Sequence, residues 1–176
     1  MGTPSAGPES RVIPPRGILR RKSQPAAAGK GSGVGVVQFC VQGSAASSAS
    51  PKFSPAKLVE VLQVGLPFRE LEALQASLSV PTETLAPMLG ISKATFHRRK
   101  GDASRLTPAV SDRVVRYARL LGQALRVFEG LEAAKQWLNT PQVGLGGAVP
   151  LNYARTELGA REVENLLGRI EYGVYS

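Results

Sequence analysis

The residues with the greatest capacity for chemistry fall in one run, Leu85-Ala86-Pro87-Met88-Leu89-Gly90-Ile91-Ser92-Lys93-Ala94-Thr95-Phe96-His97-Arg98-Arg99-Lys100. Its polar members after the turn are Ser92, Lys93, Thr95, His97, Arg98, Arg99 and Lys100. These are donors and cations, not paired acids or an activated nucleophile, and they suit hydrogen bonds to base edges and phosphates. The spacing supports that use. Ala86 is small enough for two helices to cross, and Gly90, four residues on, tolerates the positive φ of a tight turn. Ile91 and Phe96 then anchor the turn and the second helix to a core. Ser92, Lys93, Ala94, His97 and Arg98 remain on the outer face, the one a recognition helix presents to the major groove. Arg99, Lys100 and Arg105 are better placed for phosphates than for bases. Thr95 suits packing or a phosphate, and His97 suits a base contact or plain solvent. The competing reading is a helical hairpin with a solvated basic end.

Little else in the chain reacts. His97 and Cys40 are single representatives of their types, and Asp102 and Asp112 are the only aspartates. No set of nucleophile, base and orienting group can be assembled from them. One Cys with one His does not make a zinc site, and one Cys makes no internal disulfide. Leu145-Gly146-Gly147 lacks the Lys and Ser/Thr that would follow in a phosphate-binding loop, so it reads as a turn. The expectation is a chain that is not an enzyme and uses no metal and no cofactor.

The elements that must position the basic run are helical throughout. Ser54 caps a helix with Pro55 at its first position, Leu58, Val61 and Leu62 share its face, and Gly65 ends it. Pro67 opens a second segment, with Phe68, Leu71, Leu74 and Leu78 inward and Pro81 as its break. A third helix runs from about Thr84 to Leu89. That start places Pro87 in the first turn, where its missing N–H is harmless. Ser92 caps the reading helix, which reaches about Lys100. Thr107 and Pro108 begin a long helix with the stripe Val110, Val114, Tyr117, Ala118, Leu121, Leu125 and Phe128. Arg113, Arg116, Arg119 and Arg126 lie outside the stripe. A shorter helix carries Leu131, Ala134, Trp137 and Leu138, a turn of helix fits Pro150 to Ala154, and a last helix runs from about Ala160 to Tyr172.

Residues 1–51 differ from the rest. Gly, Pro and Ser supply 22 of these 51 positions, and Glu9 is the only acid. Such a stretch buries too little apolar surface to offset its chain entropy. The exception is Val34 to Val41, whose β-branched content suits a short strand. Arg20-Arg21-Lys22 before that patch resembles an export or transit signal only weakly, because the patch is short and interrupted by Gln38. The whole chain of 176 residues carries a net charge of +9. Six cations face one acid in 1–51, eight face five in 52–107, and eight face seven in 108–176. The excess favours a polyanionic partner, but the last third is nearly neutral. No apolar run approaches the roughly 20 residues of a membrane helix.

The C-terminal third carries a more specific pattern. Ser111-Asp112-Arg113 and Arg116 are followed by Ala124, Val127-Phe128, Trp137-Leu138, Pro141, Leu145-Gly146-Gly147, Pro150-Leu151 and Thr156-Glu157-Leu158-Gly159. The series closes on Val163, Leu167, Arg169-Ile170 and Tyr172-Gly173-Val174-Tyr175. This resembles the toxin-binding domain of the Xre/MbcA/ParS-like antitoxins, and Thr95 to Lys100 resembles the Xre-like helix-turn-helix that precedes it. The resemblance covers about residues 54–176, with Arg99 standing where a hydrophobic residue is usual and Pro87 atypical. With the helical periodicity and the composition of 1–51, it completes the expectation of an all-α protein: a mostly disordered basic tail over 1–51, outside the resemblance, then a helix-turn-helix DNA-binding domain over 52–106 and a small helical toxin-binding domain over 107–176. It further implies a cytoplasmic bacterial antitoxin of a type II pair, associated with the nucleoid when bound to its operator. Its partner would be a RES-domain toxin that consumes or transfers parts of NAD, blocked by direct binding. Operator DNA and autorepression complete the implied set, and a homodimer is expected because a single reading helix covers too small a footprint. The aromatics of the last residues, where few core demands reach, mark Tyr172, Val174, Tyr175 and Ser176 as toxin contacts. The alternative is a stand-alone regulator whose C-terminal domain only dimerises.

Overall fold

The computed structural model describes residues 2, 35–42, 54–100 and 104–174. Beyond Gly2 they belong to one unit, Gly33–Ser176. The described residues form nine α-helices and no strand: α1 (Val36–Gln42), α2 (Pro55–Val64), α3 (Phe68–Leu78), α4 (Thr82–Leu89), α5 (Lys93–Arg99), α6 (Pro108–Phe128), α7 (Leu131–Asn139), α8 (Pro150–Tyr153) and α9 (Glu157–Glu171). The expected caps are in place. Ser54 accepts from the Lys57 amide, and Thr107 accepts from the Val110 amide, each with proline at the first helical position.

Helix α6 is the axis of the fold. It packs against α1, α2, α3, α4, α7 and α9. Its burial is wider than the expected stripe, because Ser111, Val115, Leu120, Gly122 and Ala124 are buried as well. Tyr117 is fully buried, and its hydroxyl donates to the Leu151 carbonyl at 3.3 Å. Burial pushes the Tyr117 hydroxyl up to about 12. The 21 residues of α6 span about 30 Å at the usual rise.

Three expectations need correction. The segment read as a short strand is helix α1. Val36, Val37 and Val41 are buried and Cys40 partly so, a set spaced for one helical face and not for alternation. A seven-residue helix is marginal alone, so packing must hold it. The Val37 amide donates to Glu70 Oε2 at 2.9 Å, giving the positive end of α1 a buried carboxylate acceptor. Helix α4 starts at Thr82, not Thr84, so Pro87 lies inside the helix and outside its first turn. Pro87 and Glu83 are both exposed. The Glu83 carbonyl that loses a donor is therefore open to water, which lowers the usual penalty. Helix α9 begins at Glu157, under a Thr156 cap that accepts from the Gly159 amide at 3.1 Å. Its start is thus three residues before the expected Ala160.

Glycine 122 decides how closely α1 can approach. A Cβ there would strike the Cys40 carbonyl of α1. Replacing glycine by alanine inside a helix ordinarily gains up to about 1 kcal/mol. Overlap with backbone costs about 1–3 kcal/mol, so overlap wins at this site. Gly168 in α9 has open space around its Cβ direction. Urea denaturation should therefore show Gly122→Ala less stable than the parent and Gly168→Ala equal or more stable. Equal stabilisation by both would mean that α1 does not rest on Gly122.

Candidate nucleic-acid and protein interfaces

The turn between α4 and α5 is built from backbone hydrogen bonds. Gly90 takes the left-handed conformation, φ 67°, directly after α4. Its amide donates to the Pro87 carbonyl at 3.1 Å, and the Ile91 amide donates to the Ala86 carbonyl at 3.0 Å. That pair is the Schellman ending of a helix, which needs a residue tolerant of positive φ. Ser92 then caps α5, accepting from the Thr95 amide at 3.1 Å while its hydroxyl also meets the Thr95 hydroxyl at 2.9 Å. Phe96 is fully buried and meets Phe68 edge-on at 5.5 Å. Burying one such ring is worth about 1.5–3 kcal/mol, enough to fix which way α5 faces.

With Phe96 inward, Ser92, Lys93, Ala94, His97, Arg98 and Lys100 are exposed, and Thr95 and Arg99 are half-buried. The structure thus brings the seven named residues onto one short helix and its ends. Arg105 is drawn elsewhere: its Nη1 donates to the Gly65 carbonyl at 2.7 Å and ties the α2–α3 junction. Cys40 offers no reactive thiolate, because burial pushes its thiol up to about 11.

At the other end of the chain, Tyr172 and Val174 are 80% and 53% exposed. Tyr175 and Ser176, the other two expected toxin contacts, lie outside the described residues. Beside Val174 is a groove of about 400 Å³ between the turn at Gln142–Gly144 and the α9 residues Leu166, Arg169 and Ile170. Val143 on its rim is 96% exposed, and Leu158 at the start of α9 is 72% exposed. Neither was expected from the sequence to be an interface residue; Leu158 stood there only within the motif Thr156-Glu157-Leu158-Gly159.

Sequence reasoning also missed three polar side chains on α6 that fasten the other helices. Ser111 Oγ accepts from the Leu66 amide at 2.9 Å and donates to the Thr107 carbonyl at 2.9 Å. Arg113 Nη1 donates to the Leu89 carbonyl at 2.8 Å. Arg116 is only 13% exposed along its side chain and pairs with Asp112 and Glu157, each at 3.0 Å. Its Nη1 also donates to the Arg155 carbonyl at 3.3 Å. The motif Ser-Asp-Arg-x-x-Arg was visible in the sequence. The partners outside α6 and its cap were not, because they lie between 24 and 45 residues away.

Comparison with known proteins yields matches over both halves of the fold. Residues 57–119 match the antitoxin Xre-like helix-turn-helix domain. Residues 123–173 match the antitoxin Xre/MbcA/ParS C-terminal toxin-binding domain. The chain is 33% identical over 120 residues to a protein named antitoxin Xre of Yersinia enterocolitica, covering 68% of this chain and 81% of that one. It is 32% identical over 127 residues to an antitoxin Xre of Photorhabdus laumondii, covering 72% and 86%. A protein of Sphingobium named Prs ADP-ribosylating antitoxin is 26% identical over 132 residues, covering 70% and 83%.

Arg116 supplies a test of the fastening. Its partners Asp112 and Glu157 are more than half exposed, so solvent screens part of each pair. Arg116→Met should cost about 1–2 kcal/mol, with faster amide exchange at the α8–α9 junction. Glu60→Gln, which breaks an exposed pair with Lys57, should be close to neutral. Chemical denaturation of both variants checks the contrast, and an equal loss in both would contradict it.

Proposed function

The chain belongs to the Xre antitoxin family, and from that premise we propose that it neutralises a RES-domain, NAD-consuming toxin by direct binding and represses its own operon. The observation that carries this reading is the segregation of two kinds of exposed residue. Cations gather on α5 behind a capped turn. Most of the large exposed apolar residues lie in the nearly neutral C-terminal third, with Val143, Leu158, Tyr172 and Val174 the most exposed there, while α2 carries Val59 and Val64. Cations on a helix that follows such a turn suit the major groove and its phosphates. Exposed aromatic and branched residues suit a protein partner. The name of the Sphingobium relative, which joins ADP-ribosylation to antitoxin, supports a toxin whose chemistry draws on NAD.

In this reading Ser92, Lys93, His97 and Arg98 face base edges, and Thr95, Arg99 and Lys100 lie along the phosphates. Two copies act together, because one short helix covers too small a footprint. Their recognition helices would sit about 34 Å apart, to meet successive major grooves. Tyr172, Val174, Tyr175 and Ser176 contact the toxin and obstruct its substrate site. The pair would be found with the nucleoid whenever the operator is occupied. Co-expression with the neighbouring gene followed by pull-down tests the partnership, and a neighbour that neither poisons cells nor binds this chain would end the proposal.

Two variants separate the functions. Lys93→Ala combined with Arg98→Ala should weaken binding to the DNA upstream of the gene by about 1–3 kcal/mol for each lost base contact. Toxin neutralisation should persist in that variant, and normal repression by it would exclude α5 as the reader. Among the described residues, truncation after Gly173 removes one backbone bond, from the Val174 amide to the Arg169 carbonyl at 2.9 Å. It should leave the melting temperature nearly unchanged while growth rescue is lost. Full rescue by the folded truncation would remove the C-terminal residues from the toxin interface.

A further inference from the structure

The geometry points to Arg113 as a positioning residue for DNA reading: from α6 it grips the carboxyl end of α4 and so fixes the angle at which α5 is presented. The inference rests on the proposal that α5 is the reading helix. Its basis is a count of carbonyls. The last carbonyls of a helix have no partner within it. Here the Schellman bonds satisfy Ala86 and Pro87. Those bonds leave over the carbonyls of Met88 and of Leu89, the final residue of α4, and Arg113 Nη1 donates to that of Leu89 at 2.8 Å. A guanidinium at that end also opposes the negative pole of α4.

The same guanidinium lies under the turn. A Cβ at Gly90 would strike Arg113 Nη1, with the central guanidinium carbon next in line. Arg113 therefore packs into the space that the glycine leaves open, against the turn that joins α4 to α5. Between Leu89 and the first residue of α5 there are only three residues, Gly90, Ile91 and Ser92. A small rotation at Leu89 is carried directly to Lys93, His97 and Arg98. Arg113 is itself half-buried and occupied by protein, which distinguishes it from the exposed Lys93 and Arg98.

The test compares Arg113→Met and Arg113→Lys in the full chain, using a duplex of the DNA immediately upstream of the gene. Arg113→Met keeps the apolar stem and removes every donor. Its affinity should fall about tenfold or more, the scale of one misplaced base contact. The slope of log affinity against log salt should not change, because no phosphate contact is lost. Amide exchange at Gly90 and Ile91 should quicken. Arg113→Lys, which can still offer one N–H to Leu89, should recover most of the affinity. Arg116→Met serves as the control for general loosening, since it unties α9 and leaves α4 alone. It should spare affinity well below its melting temperature. A salt slope reduced by about one, with unchanged exchange at the turn, would make Arg113 a phosphate contact and overturn the inference. Unchanged affinity in Arg113→Met would overturn it too. If instead the Lys93→Ala and Arg98→Ala chain bound as the parent does, the assignment of α5 would fall, and this inference with it.

Discussion

Burial around most of the circumference of α6 forces each polar group on the buried sides to find a protein partner. From Val110 to Ala124 only Asp112 and Arg119 are exposed. A buried polar group left unpaired costs about 1–3 kcal/mol, whereas a satisfied hydrogen bond returns only about 1 kcal/mol. The penalty for a wrong arrangement is thus larger than the reward for the right one. Ser111 is satisfied by the α2–α3 junction, Arg113 by the end of α4, Arg116 by the start of α9, Tyr117 by α8 and Gln123 by α9. Apolar packing alone would let these helices slide along α6. The polar bonds assign each helix end to one position on it.

This construction bears on how the two matched regions are joined. The match to the helix-turn-helix domain ends at residue 119 and the match to the toxin-binding domain begins at residue 123, while α6 runs unbroken from Pro108 to Phe128. No Gly/Ser or proline-rich linker separates them. The α2–α5 layer and the α7–α9 layer therefore share a wall, and Ser111 and Arg113 on one stretch of α6 face the first while Arg116 faces the second. Anything that shifts α6 along its axis must disturb bonds to both layers. Coupling through such a wall requires contiguous packed contacts, and these are present without any gap in the chain.

Much of the fold was legible locally. Ser54, Ser92 and Thr107 announced helix starts because a hydroxyl before a helix has one obvious use, and Gly90 announced the turn because few other residues take its conformation. The exposed face of α5 followed from Phe96, whose ring had to go inward. What was not legible depended on distant contact. Helix α1 is too short to declare itself, and its seat is made by Gly122 and Glu70, 82 and 33 residues from Cys40 and Val37. The start of α4 was misplaced because Pro87 was assumed to need the first turn. Exposure of the Glu83 side removed that need. Spacing within one helix could suggest the Asp112–Arg116 pair, but not the bonds from Arg113 to Leu89 or from Arg116 to Glu157.

The charge distribution looks different once these bonds are counted. Helix α6 carries four arginines, which by number suggests a basic surface equal to that of α5. All four are engaged: Arg113 with the Leu89 carbonyl, Arg116 with Asp112 and Glu157, Arg119 with Glu164, and Arg126 with the Gly122 carbonyl. Lys135 and Arg161 are paired with Glu132 and Glu157. On α5, by contrast, Lys93, Arg98 and Arg99 form no ion pair among the described residues. A cation already held by a carboxylate projects little field beyond it, and screening within about 10 Å removes most of the remainder. Among the described residues, α5 is therefore the helix that carries the most cations without a carboxylate partner. The acids of α6, α7 and α9 neutralise Arg116, Arg119, Lys135 and Arg161 in place.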